Sequence, residues 1–345
     1  MKKLFLLIML VSSINTAQGQ SLIDEEVQQV ASNALSDELS RFPNGEVHLA
    51  GAAVMEVQSG SLVANITYKD INGILVSIDG SNEYIPGALA RSVLYLSMMP
   101  EIDPNKTIID TGNGRYVDAT GYTIQDHNHA RGGYGSISLL TCYANNSNVG
   151  IFKALESVIH YDLKEYAKRV NKTGVLFGAR ASGTGIWDTQ NIFGSNPYTL
   201  LQQMAWVNAV CGGPFIVKEE MDDSTEPYDF IENQEGLPYL REAMRQAVTK
   251  GLASQLNSEY TDVAALTNAN PADVGDKCSV AVAYFPYDQP QYVVGSYVLK
   301  TGLAPNIFPQ TVGREIIDWL CLHKLNLDVI KKNNHNEYII HVSEK

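Results

Sequence analysis

Apolar residues recur at helical spacing from the start of residues 21–41. Ile23, Val27, Val30, Ala31 and Leu35 share one face there, with acids and glutamines between them, which predicts a helix. Phe42-Pro43-Asn44-Gly45 ends it. The pattern then shortens to that of strands. Val47–Val57 and Ser61–Ile66 flank the turn Gln58-Ser59-Gly60, which predicts a β-hairpin. Residues 86–99 predict a helix opened by Pro86, a residue tolerated in a first turn. Residues 104–137 are rich in Gly, Asn, Asp and Tyr without helical period and predict loops with short strands. Helical patterns return at Leu139–Leu155, 159–170, Leu200–Val210 and Leu237–Leu252, with a Gly-rich stretch reaching Asn196. The last third predicts a second hairpin, Cys278–Phe285 and Gln291–Leu299 across Pro286–Pro290, and an amphipathic helix at Val312–His323. This order predicts an α+β fold: one antiparallel sheet shared by the first and last hairpins, flanked by helices, with an adjoining all-helical lobe.

The N-terminus reads as a targeting segment. Lys2 and Lys3 precede the apolar run Leu4–Val11, and Ala17-Gln18-Gly19 supplies small residues of the kind a signal peptidase reads. The run is shorter than the roughly 20 residues needed to span a bilayer. The expectation is a signal peptide over 1–19, cleaved near Gly19, and a mature protein in the periplasm or secreted, not integral to the membrane. An uncleaved anchor is the alternative. The remaining layout is an N-terminal helix and linker (20–46), a main domain (47–323) and a tail (324–345). Hydrophobic residues make up 45% and charged residues 18%, the balance of a globular chain. The net charge of -13 argues against a nucleic-acid partner, which requires clustered cations. Cys142, Cys211, Cys278 and Cys321 are far apart with no Cys-x-x-Cys pair, against a zinc site. Export permits disulfides, with three full pairings open; buried free thiols are the other reading.

Candidate chemistry centres on Tyr84-Ile85-Pro86-Gly87-Ala88-Leu89-Ala90-Arg91, a Pro-Gly turn leading into an apolar helix. Further stretches stand in a telling order. They are Gly51–Glu56 with Gly60 and Ala64, Thr123-Ile124-Gln125-Asp126, Asn146-Ser147-Asn148-Val149-Gly150, Tyr198–Gln202, and Tyr284-Phe285-Pro286 before the last hairpin strand. Together they resemble the transpeptidase domain of high-molecular-weight penicillin-binding proteins over about residues 47–323. The resemblance implies an acyl-enzyme chemistry built on three motifs: Ser-x-x-Lys, Ser-x-Asn and a Lys-Thr-Gly strand. In this chain the serine slot is Ala88 and the lysine slot Arg91. The second-motif serine slot is Asn146, with Asn148 retained. Val263–Asn268 fits the third motif, so its lysine and glycine slots are Leu266 and Asn268, with Thr267 retained.

A methyl group cannot attack a carbonyl, and a guanidinium is not a base near neutral pH. No serine elsewhere has a lysine three residues later. Ser92 lies one residue past Arg91, about 100° around the helix from it. Lys172-Thr173-Gly174 and Lys300-Thr301-Gly302 occur, but the first follows a helix and the second ends the last hairpin instead of preceding it. The resemblance therefore implies an exported, catalytically silent relative, with no intact catalytic residue and no cofactor or metal. Its partners would be a peptidoglycan stem peptide or proteins of cell-wall synthesis. The alternative is an active D,D-transpeptidase or related acyl-transferase with a non-standard nucleophile, for which Cys142, one turn before the second motif, is the nearest thiol. Arg91, a buried cation, would pair with Asn146, Asn148 or a carboxylate, or hold a ligand carboxylate. Asp126, His127 and His129 read as a solvated loop rather than a metal site.

Overall fold

The computed structural model describes residues 22–43, 45–79, 84–86, 89–119, 121–174, 197–219, 230–271, 276–302, 308–327, 331–332 and 338–339. The first helix, α1 (Glu25–Leu39), starts where Asp24 accepts hydrogen bonds from the Glu26 and Val27 amides at 3.0 and 3.1 Å. Strands β1 (Val47–Glu56), β2 (Leu62–Ile71) and β3 (Ile74–Ile78) form a meander. The short strands are β4 (Tyr84–Pro86), β5 (Ile108–Asp110), β6 (Arg115–Val117), β7 (Thr123–Gln125), β8 (Ser136–Ser138) and β9 (Pro197–Thr199). Strands β10 (Ala264–Pro271), β11 (Asp276–Phe285) and β12 (Tyr292–Thr301) close the series. The main sheet runs β10-β11-β12-β1-β2-β3 with every pair antiparallel. The first and last hairpins therefore join through β1 and β12, as the sequence pattern predicts.

The other helices are α2 (Leu89–Met98), α3 (Leu139–Ala144), α4 (Asn148–Ile159), α5 (Leu163–Asn171), α6 (Leu200–Cys211), α7 (Leu237–Lys250) and α8 (Phe308–His323). Strand alternation places two of them. An added Cβ on Gly295 would sit 2.7 Å from the Met204 sulfur of α6, whereas the Ser296 hydroxyl donates to the Pro309 carbonyl of α8 at 2.5 Å. Successive strand residues face opposite sides, so α6 and α8 cover opposite faces of the sheet. Helix α1 lies beside α8, and α7 packs against β10. Trp206 of α6 is fully buried, and its indole nitrogen donates to the Thr173 carbonyl at 2.9 Å. Among the described residues no helix is long and apolar enough to cross a membrane.

Two sequence expectations are corrected. Pro86 does not open a helix: it ends β4, which pairs with β9 opposite Pro197, and α2 begins at Leu89. Proline's missing N–H is tolerated on such a short edge ladder. Leu139–Leu155 is not one helix. The chain breaks at Asn146, whose φ of 53° is left-handed, and restarts at Ser147, whose hydroxyl caps the Gly150 amide at 2.9 Å. Strand β3 was missed, because Ile74–Ile78 is half-exposed edge without clean alternation.

Gly150 shows how tightly the α3–α4 corner closes. A Cβ there would lie 2.4 Å from the Cys142 sulfur and 2.8 Å from its Cβ. Gly150→Ala is expected to lose about 1–3 kcal/mol in denaturant unfolding by overpacking.

Candidate active site

Three elements converge at one edge of the sheet: the first turn of α2, the N-terminus of α4 and the strand β10. The sequence supplies each with a local reason. Ser147 caps α4 and donates to Asp126 Oδ2 at 2.8 Å, while Asp126 Oδ1 accepts the Val149 amide at 2.9 Å. A carboxylate at a helix N-terminus also meets the positive end of the helix dipole. Asp126 is therefore buried, not part of a solvated loop as expected from its polar neighbours, and burial raises its pKa above the usual carboxylate value. Its neighbour His127 remains exposed and meets the Tyr134 hydroxyl at 3.2 Å. Among the described residues no group of three or more His, Cys, Asp or Glu is placed to hold a metal.

Arg91 ties the three elements together. It is 8% exposed. Its Nε donates to Asn148 Oδ1 at 3.2 Å and its Nη2 to Asn268 Oδ1 at 2.9 Å. Asn148 spends its amide nitrogen on the Gln125 carbonyl at 3.0 Å, and Asn146 donates to the Thr267 carbonyl at 3.1 Å. Arg91, Asn148 and Asn268 thus form one hydrogen-bonded group, and beside it Asn146 bonds separately to Thr267, the residue before Asn268. Of the other two candidate positions, Leu266 is buried in the apolar core and lines the cavity beside Arg91. Ala88 and Gly87 lie outside the described residues. Arg91 takes two neutral amides as partners and no carboxylate among the described residues. Burial lowers its pKa to about 10, still high enough to keep the charge at neutral pH.

The cavity beside this cluster is small, about 10 Å3, and is walled by Arg91, Ser92, Tyr143, Asn146 and Thr267 with Ala247, Ala265 and Leu266. That volume is about one water-sized sphere. Ser92 is one of the wall residues. Its buried hydroxyl lies 2.7 Å from that of Tyr143. Sequence reasoning also missed Tyr143, whose ring packs 5.0 Å from that of Tyr95; an isolated tyrosine in an apolar helix carries no signal of this role. None of these groups is a base: the amides do not titrate near neutral pH, and burial pushes the Tyr143 phenol up to about 12.

The thiol alternative finds no geometric support. Cys142 is fully buried against Gly150, and burial pushes its thiol up to about 12, leaving almost no thiolate. All four cysteines are buried and unpaired, so the disulfide pairings left open by the sequence are not formed.

The chain is similar to the crystal structure of a peptidoglycan glycosyltransferase from Burkholderia ambifaria, with a TM-score of 0.69 at 18% identity over 89% of this chain and 98% of that one. It is also similar to the apo transpeptidase domain of penicillin-binding protein 3 from Burkholderia pseudomallei, with a TM-score of 0.67 at 19% identity over 89% and 96%. The chain matches none of the curated proteins. At these identities the structural likeness establishes the fold. The family model described as the penicillin binding protein transpeptidase domain matches residues 95–317, which takes in Asn146, Asn148 and Leu266–Asn268 and begins four residues after Arg91. Covering well over half of the sequence, that match shows that the chain belongs to the penicillin-binding protein transpeptidase domain family.

Proposed function

We propose that this chain is an exported member of the family that does not form an acyl-enzyme and serves cell-wall synthesis as a scaffold. The observation that carries the reading is the Arg91 cluster. The lysine slot given by the resemblance holds a cation that is bonded to Asn148 and Asn268 and stays protonated near neutral pH. The residue in the serine slot, Ala88, has no oxygen or sulfur to attack with. Nucleophilic catalysis needs both an attacking atom and a partner that takes its proton. The chain has neither at these positions. The signal-like N-terminus supports a place outside the cytoplasm, where such a scaffold works.

Turnover tests the reading. Incubated with a peptide ending in two D-alanine residues, the purified protein is expected to release no D-alanine. Ala88→Ser alone is expected to remain inactive, because Arg91 still cannot accept the serine proton. Release above buffer by the unaltered protein would overturn the proposal.

A further inference from the structure

We propose that the free edge of β3 is the docking site of a segment of this same chain, the hairpin that follows α8. The docking is independent of whether the chain is catalytically silent.

Strand β3 ends the six-stranded sheet. Asn72 and Gly73, with φ of 58° and 83°, form the two-residue turn from β2, and Ile71 pairs with Ile74 across it. Ile74, Val76 and Ile78 therefore direct their N–H and C=O groups at β2, and Leu75 and Ser77 direct theirs outward. Among the described residues the Leu75 and Ser77 backbones have no partner. Natural sheets guard such an edge with charge, proline or a bulge. Here residues 71–78 carry no charge and no proline, and their pairing with β2 is in unbroken register. Ile71 and Ile74 are 49% and 66% exposed.

The hairpin lacks a surface of its own. Strands β13 (Lys331–Lys332) and β14 (Tyr338–Ile339) pair only with each other among the described residues. Two strands alone are marginal in water, and a third stabilises them. The tether leaves the fold near the free edge. Lys324, just after α8, bonds Asp24 and Glu26 at 2.8 and 3.0 Å, and the Asp24 amide donates to the Val63 carbonyl of β2, the neighbour of β3. Thr67, opposite Ile78, lies four residues along β2 from Val63, roughly 13 Å away. The eleven residues from Leu327 to Tyr338 reach at most roughly 38 Å, enough to lay β14 along β3. Tyr338 and Ile339, followed in sequence by Ile340, His341 and Val342, have side chains that strands favour. With β14 against β3, β13 becomes the outer strand, and its lysines supply the charge that β3 lacks. A second copy offers the same edge without the tether, and the net charge of -13 on each copy opposes their approach.

Hydrogen exchange of the full chain tests the docking. The Leu75 and Ser77 amides are expected to be protected, as are those of Val76 and Ile78, which donate to β2. Truncation after Leu327 is expected to speed exchange at Leu75 and Ser77 about tenfold or more and to leave Val76 and Ile78 unchanged. If the truncated chain does not fold, Ile339→Asp in the full chain is expected to give the same result. Equal exchange at Leu75 and Ser77 with and without the hairpin would overturn the proposal. So would protection that appears only at concentrations where light scattering shows dimers, since the edge would then be paired with a second copy.

Discussion

Arg91→Ala is expected to destabilise the protein by about 2–4 kcal/mol in urea unfolding at neutral pH. The substitution removes a charged donor from Asn148 Oδ1 and another from Asn268 Oδ1, and hydrogen bonds to charged groups contribute about 1.5–3 kcal/mol each. It also enlarges a cavity walled in part by Leu266 and Ala265. Relief from burying a cation offsets some of this loss, so the two bonds do not simply add. Arg91→Lys is expected to fall between, because a single ammonium on a flexible stem does not reproduce a fork that reaches α4 and β10 together. A loss below about 0.5 kcal/mol for Arg91→Ala, within the usual range for surface substitutions, would show that the three elements are held by packing alone.

Asp126→Ala is expected to cost a similar amount, about 2–4 kcal/mol, for a different reason. Its carboxylate accepts both the Ser147 hydroxyl and the Val149 amide at the start of α4. Deletion strands two buried donors at a helix end, where capping alone is worth about 1 kcal/mol and each stranded buried group about 1–3. Asp126→Asn keeps one acceptor and is expected to recover roughly half of the loss. Because burial raises the Asp126 pKa, the sign of its pH contribution is the reverse of that of an ion-paired acid. Its folded form binds a proton more readily than the unfolded chain does. The contribution of this group to stability therefore falls as pH rises through its raised value, and Asp126→Asn is expected to flatten that part of the stability profile.

Much of the sheet was legible because its strands are bounded by unambiguous turns. Gln58-Ser59-Gly60 and Pro286–Pro290 mark both hairpins, and the alternating apolar runs between them set their partners. The helix boundaries failed where local signals conflicted with tertiary pairing. Pro86 has the chemistry of a helix start, yet the β4–β9 pairing that claims it is made with a segment over a hundred residues away. The break at Asn146 was hidden in a continuous apolar pattern, since Leu139–Leu155 keeps helical spacing on both sides of it.

The candidate site was legible as a set of positions, through the motif order that resembles the family. Its bonding was not. A partner for Arg91 was expected among Asn146, Asn148 and carboxylates; Asn148 is one partner, and the other is Asn268, a residue 177 positions away on a strand whose register no local pattern specifies. Tyr143, and its pairing with Ser92, escaped notice because a serine and a tyrosine in apolar helices carry no joint signal until a fold brings them within 2.7 Å.

The most direct measurement is the intact mass of the purified protein after prolonged exposure to a β-lactam that acylates active transpeptidases. The unmodified mass is the predicted result, since Ala88 offers no acyl acceptor and Cys142 is buried as a thiol. A mass increase of one β-lactam, mapped by peptide analysis to residues 84–92 or to Cys142, would contradict the account.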